Sequence, residues 1–251
     1  YEIPLRLVGS EMCIRDRPII GLVIFILLQM SFMYILFARS SLALVKKQKG
    51  LLVTVSVYLI SVIVMMLMNL VAENFDVNIG FLFPTAMATM LVRLLANDKA
   101  ASVVTILTAA SSGIVFQQGY AAVLQMDVAL YILFGGFGAL YFMRNMEKRA
   151  HLLHAVAVIS IINLLFIAFY LLMSQASLSF GEILFYMAAG IISGLLSGAL
   201  TMGLLPFFES AFGILSTIRL IELSNPNHPL LKKILMETPG TVSYTHLRAH
   251  E

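Results

Sequence analysis

His151 and His154 stand three residues apart, a spacing that sets both imidazoles on one helix face and supplies half of a metal site. No Cys or further His sits at ligand spacing to complete it, and the two are read as interfacial residues and not as ligands. Cys13 is the only cysteine, so the chain forms no internal disulfide and no cysteine metal cluster. Gly135, Gly136 and Gly138 are as dense as a phosphate-cradling loop, but they lie inside an apolar run with no strand before them, and read as helix packing. Arg93 is the one basic residue within an apolar run. It lies three residues from the end, where a long side chain reaches the headgroups; the alternative is a substrate or proton site. No Ser-His-Asp set or carboxylate pair falls in the apolar segments. No catalytic, cofactor-binding or metal-ligating residue is therefore assigned within this chain.

Such residues need a setting, and here the setting is lipid. Of 251 residues, 60% are hydrophobic and 12% charged, and the mean hydropathy is +0.95. A water-soluble domain of this size has no core large enough to hide that much apolar side chain. A helix needs about 20 apolar residues to cross about 30 Å of hydrocarbon. Seven stretches approach that length: about 19–38, 51–71, 79–96, 101–118, 127–143, 155–174 and 183–205. No ten-residue alternation of the β-barrel kind occurs. The expected fold is an all-α membrane protein, a seven-helix transmembrane bundle.

Loop charge orients the bundle, because Lys and Arg stay on the cytoplasmic side. Arg39, Lys46, Lys47 and Lys49 follow the first span, Lys99 the third, Arg144, Lys148 and Arg149 the fifth, and Arg219, Lys232 and Lys233 the seventh. The alternate loops carry Glu73, Asp76 and Glu182 and no basic residue. The pattern predicts an N-out, C-in topology.

Within the spans, Pro84 is expected to kink the third, and Gln29, Asn69 and Asn163 to hydrogen-bond between helices. Gly190, Gly194 and Gly198 recur every fourth residue, with Ser193 and Ser197 alongside, and form a flat stripe for close helix approach. That stripe serves either packing inside the bundle or a homodimer.

Beyond the last span, residues 206–223 read as an amphipathic cytoplasmic linker helix opened by Pro206. Turn residues follow, and Pro229 is placed to start a short helix that Pro239-Gly240 ends. At the extremes, residues 1–17 and 242–251 lack periodicity and resemble translated sequencing-adapter peptides. They are set aside, and the net charge of +3 is the same without them.

The stretch Glu222-Leu223-Ser224-Asn225-Pro226-Asn227-His228-Pro229-Leu230-Leu231, followed by Glu237-Thr238-Pro239-Gly240-Thr241, resembles the entry into the HD phosphohydrolase domain of the bacterial seven-transmembrane HD family, membrane-bound phosphodiesterases of cyclic-di-AMP. The seven-span pattern before it fits the same family. The resemblance implies an extracellular domain ahead of the spans and a cytoplasmic HD domain after them, whose His and Asp residues hold a divalent metal pair. It places residues 224–241 at the start of that HD domain and the protein in the bacterial cytoplasmic membrane. The family continues Pro-Gly-Thr with Tyr-His-His-Ser, whereas this chain reads Val242-Ser243-Tyr244-Thr245-His246, so no ligand role passes to His246. His228 matches the family pattern as a structural residue of the turn.

The expected function is the membrane sensor and transmission module of such an enzyme, with the catalytic domain outside this chain. The expected partners are the lipid bilayer, the parent's other domains, cyclic-di-AMP through the HD domain, and a second copy if the glycine stripe dimerises; no nucleic-acid polymer is expected. The competing readings are a small-molecule permease and a membrane anchor for another signalling domain.

Overall fold

Prolines, glycines and capping side chains decide where each helix starts and stops. The computed structural model describes residues 20–21, 23–35, 37–38, 44–72, 78–116, 125–143, 149–174, 179–214, 216 and 219–220. Among these the regular elements are all helical. They are α1 (Val23–Ile35), α2 (Leu44–Ala72), a 3-10 turn (Ile79–Leu82), α3 (Met87–Leu95), α4 (Asp98–Val115), α5 (Met126–Phe142), α6 (Arg149–Met173) and α7 (Phe180–Phe212).

Gln48–Ala72, Leu152–Met173 and Phe180–Phe212 are long and apolar enough to cross a membrane. Val23–Ile35, Ile79–Leu95 and Met126–Phe142 are apolar but shorter. The 18 residues of α4 reach about 27 Å.

α2 and α6 begin seven and six residues before the expected spans, and three further boundaries differ for reasons that local residues show. The third stretch is a short 3-10 turn and then a nine-residue helix, not one kinked helix across 79–96. Pro84 lies between them, where its ring and absent N–H stop an incoming helix. The seventh helix begins at Phe180 because Ser179 caps it, the Ser179 hydroxyl accepting from Glu182 N–H while the Glu182 carboxylate accepts from Ser179 N–H. At its other end Pro206 opens no new helix, and α7 runs through it to Phe212. Only then does Gly213, at φ 58° and ψ 42°, turn the chain through the left-handed region.

α3 is buried along its length except at Arg93. Its neighbours are α2, α4, α5 and α7. A helix enclosed in this way is largely apolar, as Met87, Met90, Leu91, Val92, Leu94 and Leu95 make it, with Thr89 and Arg93 as its polar side chains. The outward faces are apolar as well: Leu28, Leu165, Leu172 and Phe180 are more than half exposed. In water that surface would drive aggregation; against hydrocarbon it costs nothing.

Candidate functional site: a broken helix in a polar seam

Breaking a helix inside an apolar bundle frees backbone groups that must find partners. At the 79–86 break the partners of the backbone are side chains from α5 and α7. The Tyr131 hydroxyl donates to Phe81 C=O at 2.9 Å. The Ser193 hydroxyl donates to Phe83 C=O, and Ala86 N–H donates to Ser197 Oγ at 3.2 Å. Farther up, Asn78 N–H donates to the Tyr186 hydroxyl at 3.2 Å.

Asn163, fully buried on α6, sits at the centre. Its Nδ2 lies 3.3 Å from Thr85 Oγ1, 3.3 Å from Ser193 Oγ and 3.4 Å from Gly190 C=O. One amide thus joins α6, α7 and the break. Next to it the Thr89 and Thr105 hydroxyls hydrogen-bond at 2.7 Å between α3 and α4.

The three glycines of α5 give these groups room. A Cβ on Gly135 would press on Thr85, one on Gly136 on Thr105 and Thr89, and one on Gly138 on Ile162. They do pack helices, and against polar partners as well as apolar ones.

A second polar group links α1, α2 and α4. The Tyr58 hydroxyl donates to Gln29 Oε1 and lies 2.8 Å from Ser111 Oγ, and Gln29 Nε2 donates to Leu107 C=O at 3.4 Å. Asn69 is half-buried and lies outside both networks.

Gly190, Gly194 and Gly198 face α6. A Cβ at Gly190 would come within 2.7 Å of Ile167, one at Gly194 would collide with Ser160, and one at Gly198 with Val156. The stripe is therefore filled by a neighbouring helix of the same chain. Arg93 pairs with Asp98 at 2.5 Å, which ties the end of α3 to the first turn of α4. His154 is exposed on α6, and the His151 side chain lies outside the described residues. So do Asn225, Pro226, Asn227, His228, Pro229, Pro239 and Gly240, with the whole of 224–241 and both ends.

Chemically, the seam offers hydroxyl, amide and carbonyl groups. No three His, Cys, Asp or Glu come together among the described residues. A divalent metal pair needs carboxylate or imidazole donors, and the seam does not fit one. It is suited to holding helices in register.

Sequence reasoning found Asn163 and Gln29 but missed Thr85, Thr89, Thr105 and Tyr131. The available signal was the Phe83-Pro84-Thr85 sequence: a proline inside a short apolar run frees carbonyls, and hydroxyl residues facing it are the natural donors.

A helical protein with a lipid-type exterior and long apolar helices is of the membrane class. Residues 16–216 match the profile of a family described as 7TM receptor with intracellular HD hydrolase. The chain belongs to that family. It is 35% identical over 234 residues to the cyclic-di-AMP phosphodiesterase PgpH of Bacillus subtilis, covering 93% of this chain and 33% of the relative. It is 30% identical over 246 residues to PgpH of Listeria monocytogenes, covering 98% and 33%. A 60-residue stretch is 42% identical to the uncharacterised protein slr0104 of Synechocystis, covering 23% of this chain and 7% of that one. The chain thus spans about a third of the length of the PgpH relatives it matches. No solved structure matches it.

Proposed function

We propose that this chain is the membrane sensing and transmission module of a cyclic-di-AMP phosphodiesterase. It crosses the bilayer seven times with its N-terminal side out, and passes its state to a cytoplasmic HD domain that begins near residue 224. The observation that carries this reading is the continuous family match over 16–216, together with two relatives named for that activity. The polar seam supports it, because side chains of α6 and α7 hold Phe83, Thr85 and Ala86 at the entry to α3, so the packing of those helices is coupled to the place of α3. On this reading the divalent metal pair belongs to the HD domain, beyond Thr241.

The test joins residues 18–241 to the native gene sequence that follows and measures hydrolysis of cyclic-di-AMP with a divalent metal. The joined protein is expected to hydrolyse it and residues 18–241 alone are expected not to. A joined protein that binds metal and leaves cyclic-di-AMP intact would remove the reading.

The broken helix also favours a second reading, a small-molecule permease, since transporters place interrupted helices at their binding sites. The break here is filled by Phe81, Phe83 and Tyr131, all buried, which supports a packed hinge. Uptake by liposomes holding residues 18–205, lost on Asn163→Leu, would favour the permease.

A further inference from the structure

Where α7 leaves the bundle, its last turn is held against the α1–α2 hairpin by a plug and a charge. Phe208 is the plug. It is 1% exposed, inside a buried cluster to which Met33 and Phe37 at the end of the α1 segment and Val53 and Val57 of α2 contribute beside residues of α3 and α4 such as Leu91 and Val104. Phe212 stacks on Phe208 at 5.9 Å with rings 9° apart, which carries the same contact to the helix end. Gly50 helps the hairpin close, since a Cβ there would lie 3.3 Å from the Phe37 ring.

The charge is Lys49. Its ammonium donates to Gly213 C=O at 3.4 Å across 164 residues of sequence. The carbonyls ending a helix lack intrahelical donors and carry the negative end of the helix dipole, so a cation there is favourable. Gly213 is the left-handed cap, and just past it the chain is set by local bonds: Ile214 N–H donates to Glu209 C=O, Ser216 N–H to the Glu209 carboxylate at 3.2 Å, and Arg219 N–H to Ser216 Oγ at 3.3 Å. The direction of the chain leaving α7 is therefore specified by the cap, and the cap is tied to α2 through Lys49.

We infer that Lys49 and Phe208 form a latch that fixes the heading of the chain after α7 to the position of the α1–α2 hairpin. A displacement of the hairpin moves Lys49 and the α1–α2 side of the Phe208 cluster together and redirects the exit. The relevance of this to output rests on the transmission reading above; the latch itself does not.

The test uses the whole chain in lipid nanodiscs, with Cys13→Ser and spin labels on exposed Gln48 and Ser210. Lys49→Met is expected to raise the population of displaced distances about two- to five-fold. Lys49→Arg is expected to restore the native distribution, and a reference pair at Leu130 and Leu172 to stay fixed. Phe208→Leu, which keeps an apolar plug but loses the ring stack, is expected to act in the same direction as Lys49→Met. An unchanged Gln48–Ser210 distribution in Lys49→Met overturns the latch, and so does an equal change in the reference pair, which would signify general loosening. Lys49→Met is then placed in the chain joined to its native continuation. Shifted distances with unaltered cyclic-di-AMP hydrolysis would leave the latch standing and sink the transmission reading.

Discussion

At Gly194 a single hydrogen atom separates a tight helix contact from a collision. A Cβ there would meet the Ser160 hydroxyl and the Ser160 backbone, whereas one at Gly203 on the same helix meets nothing within 4 Å. Gly194→Val is therefore expected to lose about 1 to 3 kcal/mol, the usual penalty of overpacking, and Gly203→Ala to be neutral or slightly stabilising through helix propensity. Thermal unfolding in detergent reads both. Equal midpoints for the two variants would mean that α6 and α7 do not approach as closely as the structure places them. Asn163 poses the complementary question. Its amide meets Thr85, Ser193 and Gly190, and Asn163→Leu is expected to cost about 1 kcal/mol, the scale of an interhelical hydrogen bond in lipid. Asn69→Leu, half-buried and outside both networks, is expected to cost little in the same assay.

At the scale of elements, the break in the third stretch depends on donors from elsewhere. Ser193→Ala would leave Phe83 C=O without the hydroxyl that satisfies it, at a cost of about 1 to 3 kcal/mol for a buried unpaired acceptor. Amide exchange in α3 should accelerate in this variant while α2 keeps its protection. Equal protection in both would mean that the break is held by packing alone. Apolar length made the positions of α2, α5, α6 and most of α7 legible in the sequence, and Pro84 and Asn163 marked the seam. Helix ends were less legible. Continuation through Pro206 could not be read from a residue that both starts and interrupts helices, and it goes with the burial of Phe208 in a cluster drawn from α1, α2, α3 and α4, far off in sequence. Ser179 and Glu182 spelled a capping box in plain view, yet apolar counting places the start at 183 because it ignores caps. The glycine stripe was legible as a close-approach surface, but its occupant, α6, depends on tertiary arrangement that no spacing rule contains.

For the whole molecule, the decisive question is which side each end faces. Lys49 and Gly213 meet, so the early part of α2 and the end of α7 share one end of the bundle. Asn78 and Tyr186 meet, so the entry to the 3-10 turn and the first part of α7 share another level of it. In sequence, Lys49 follows Lys46 and Lys47, whereas Asn78 follows Glu73 and Asp76 and Tyr186 follows Glu182. If basic residues are retained inside, single cysteines introduced in a Cys13→Ser background should divide accordingly. Ser177→Cys is expected to react with a membrane-impermeant maleimide on intact cells. Asn145→Cys and Leu220→Cys are expected to react only after permeabilisation. Labelling of Leu220→Cys from outside would put the chain after α7 on the wrong face for any intracellular hydrolase. Moving charge provides the stronger form of the test. Replacing Lys46, Lys47 and Lys49 with Gln and adding three Lys between residues 74 and 77 reverses the local bias, and should give a mixed population at Ser177. An orientation unmoved by that exchange would show that something other than loop charge sets the topology.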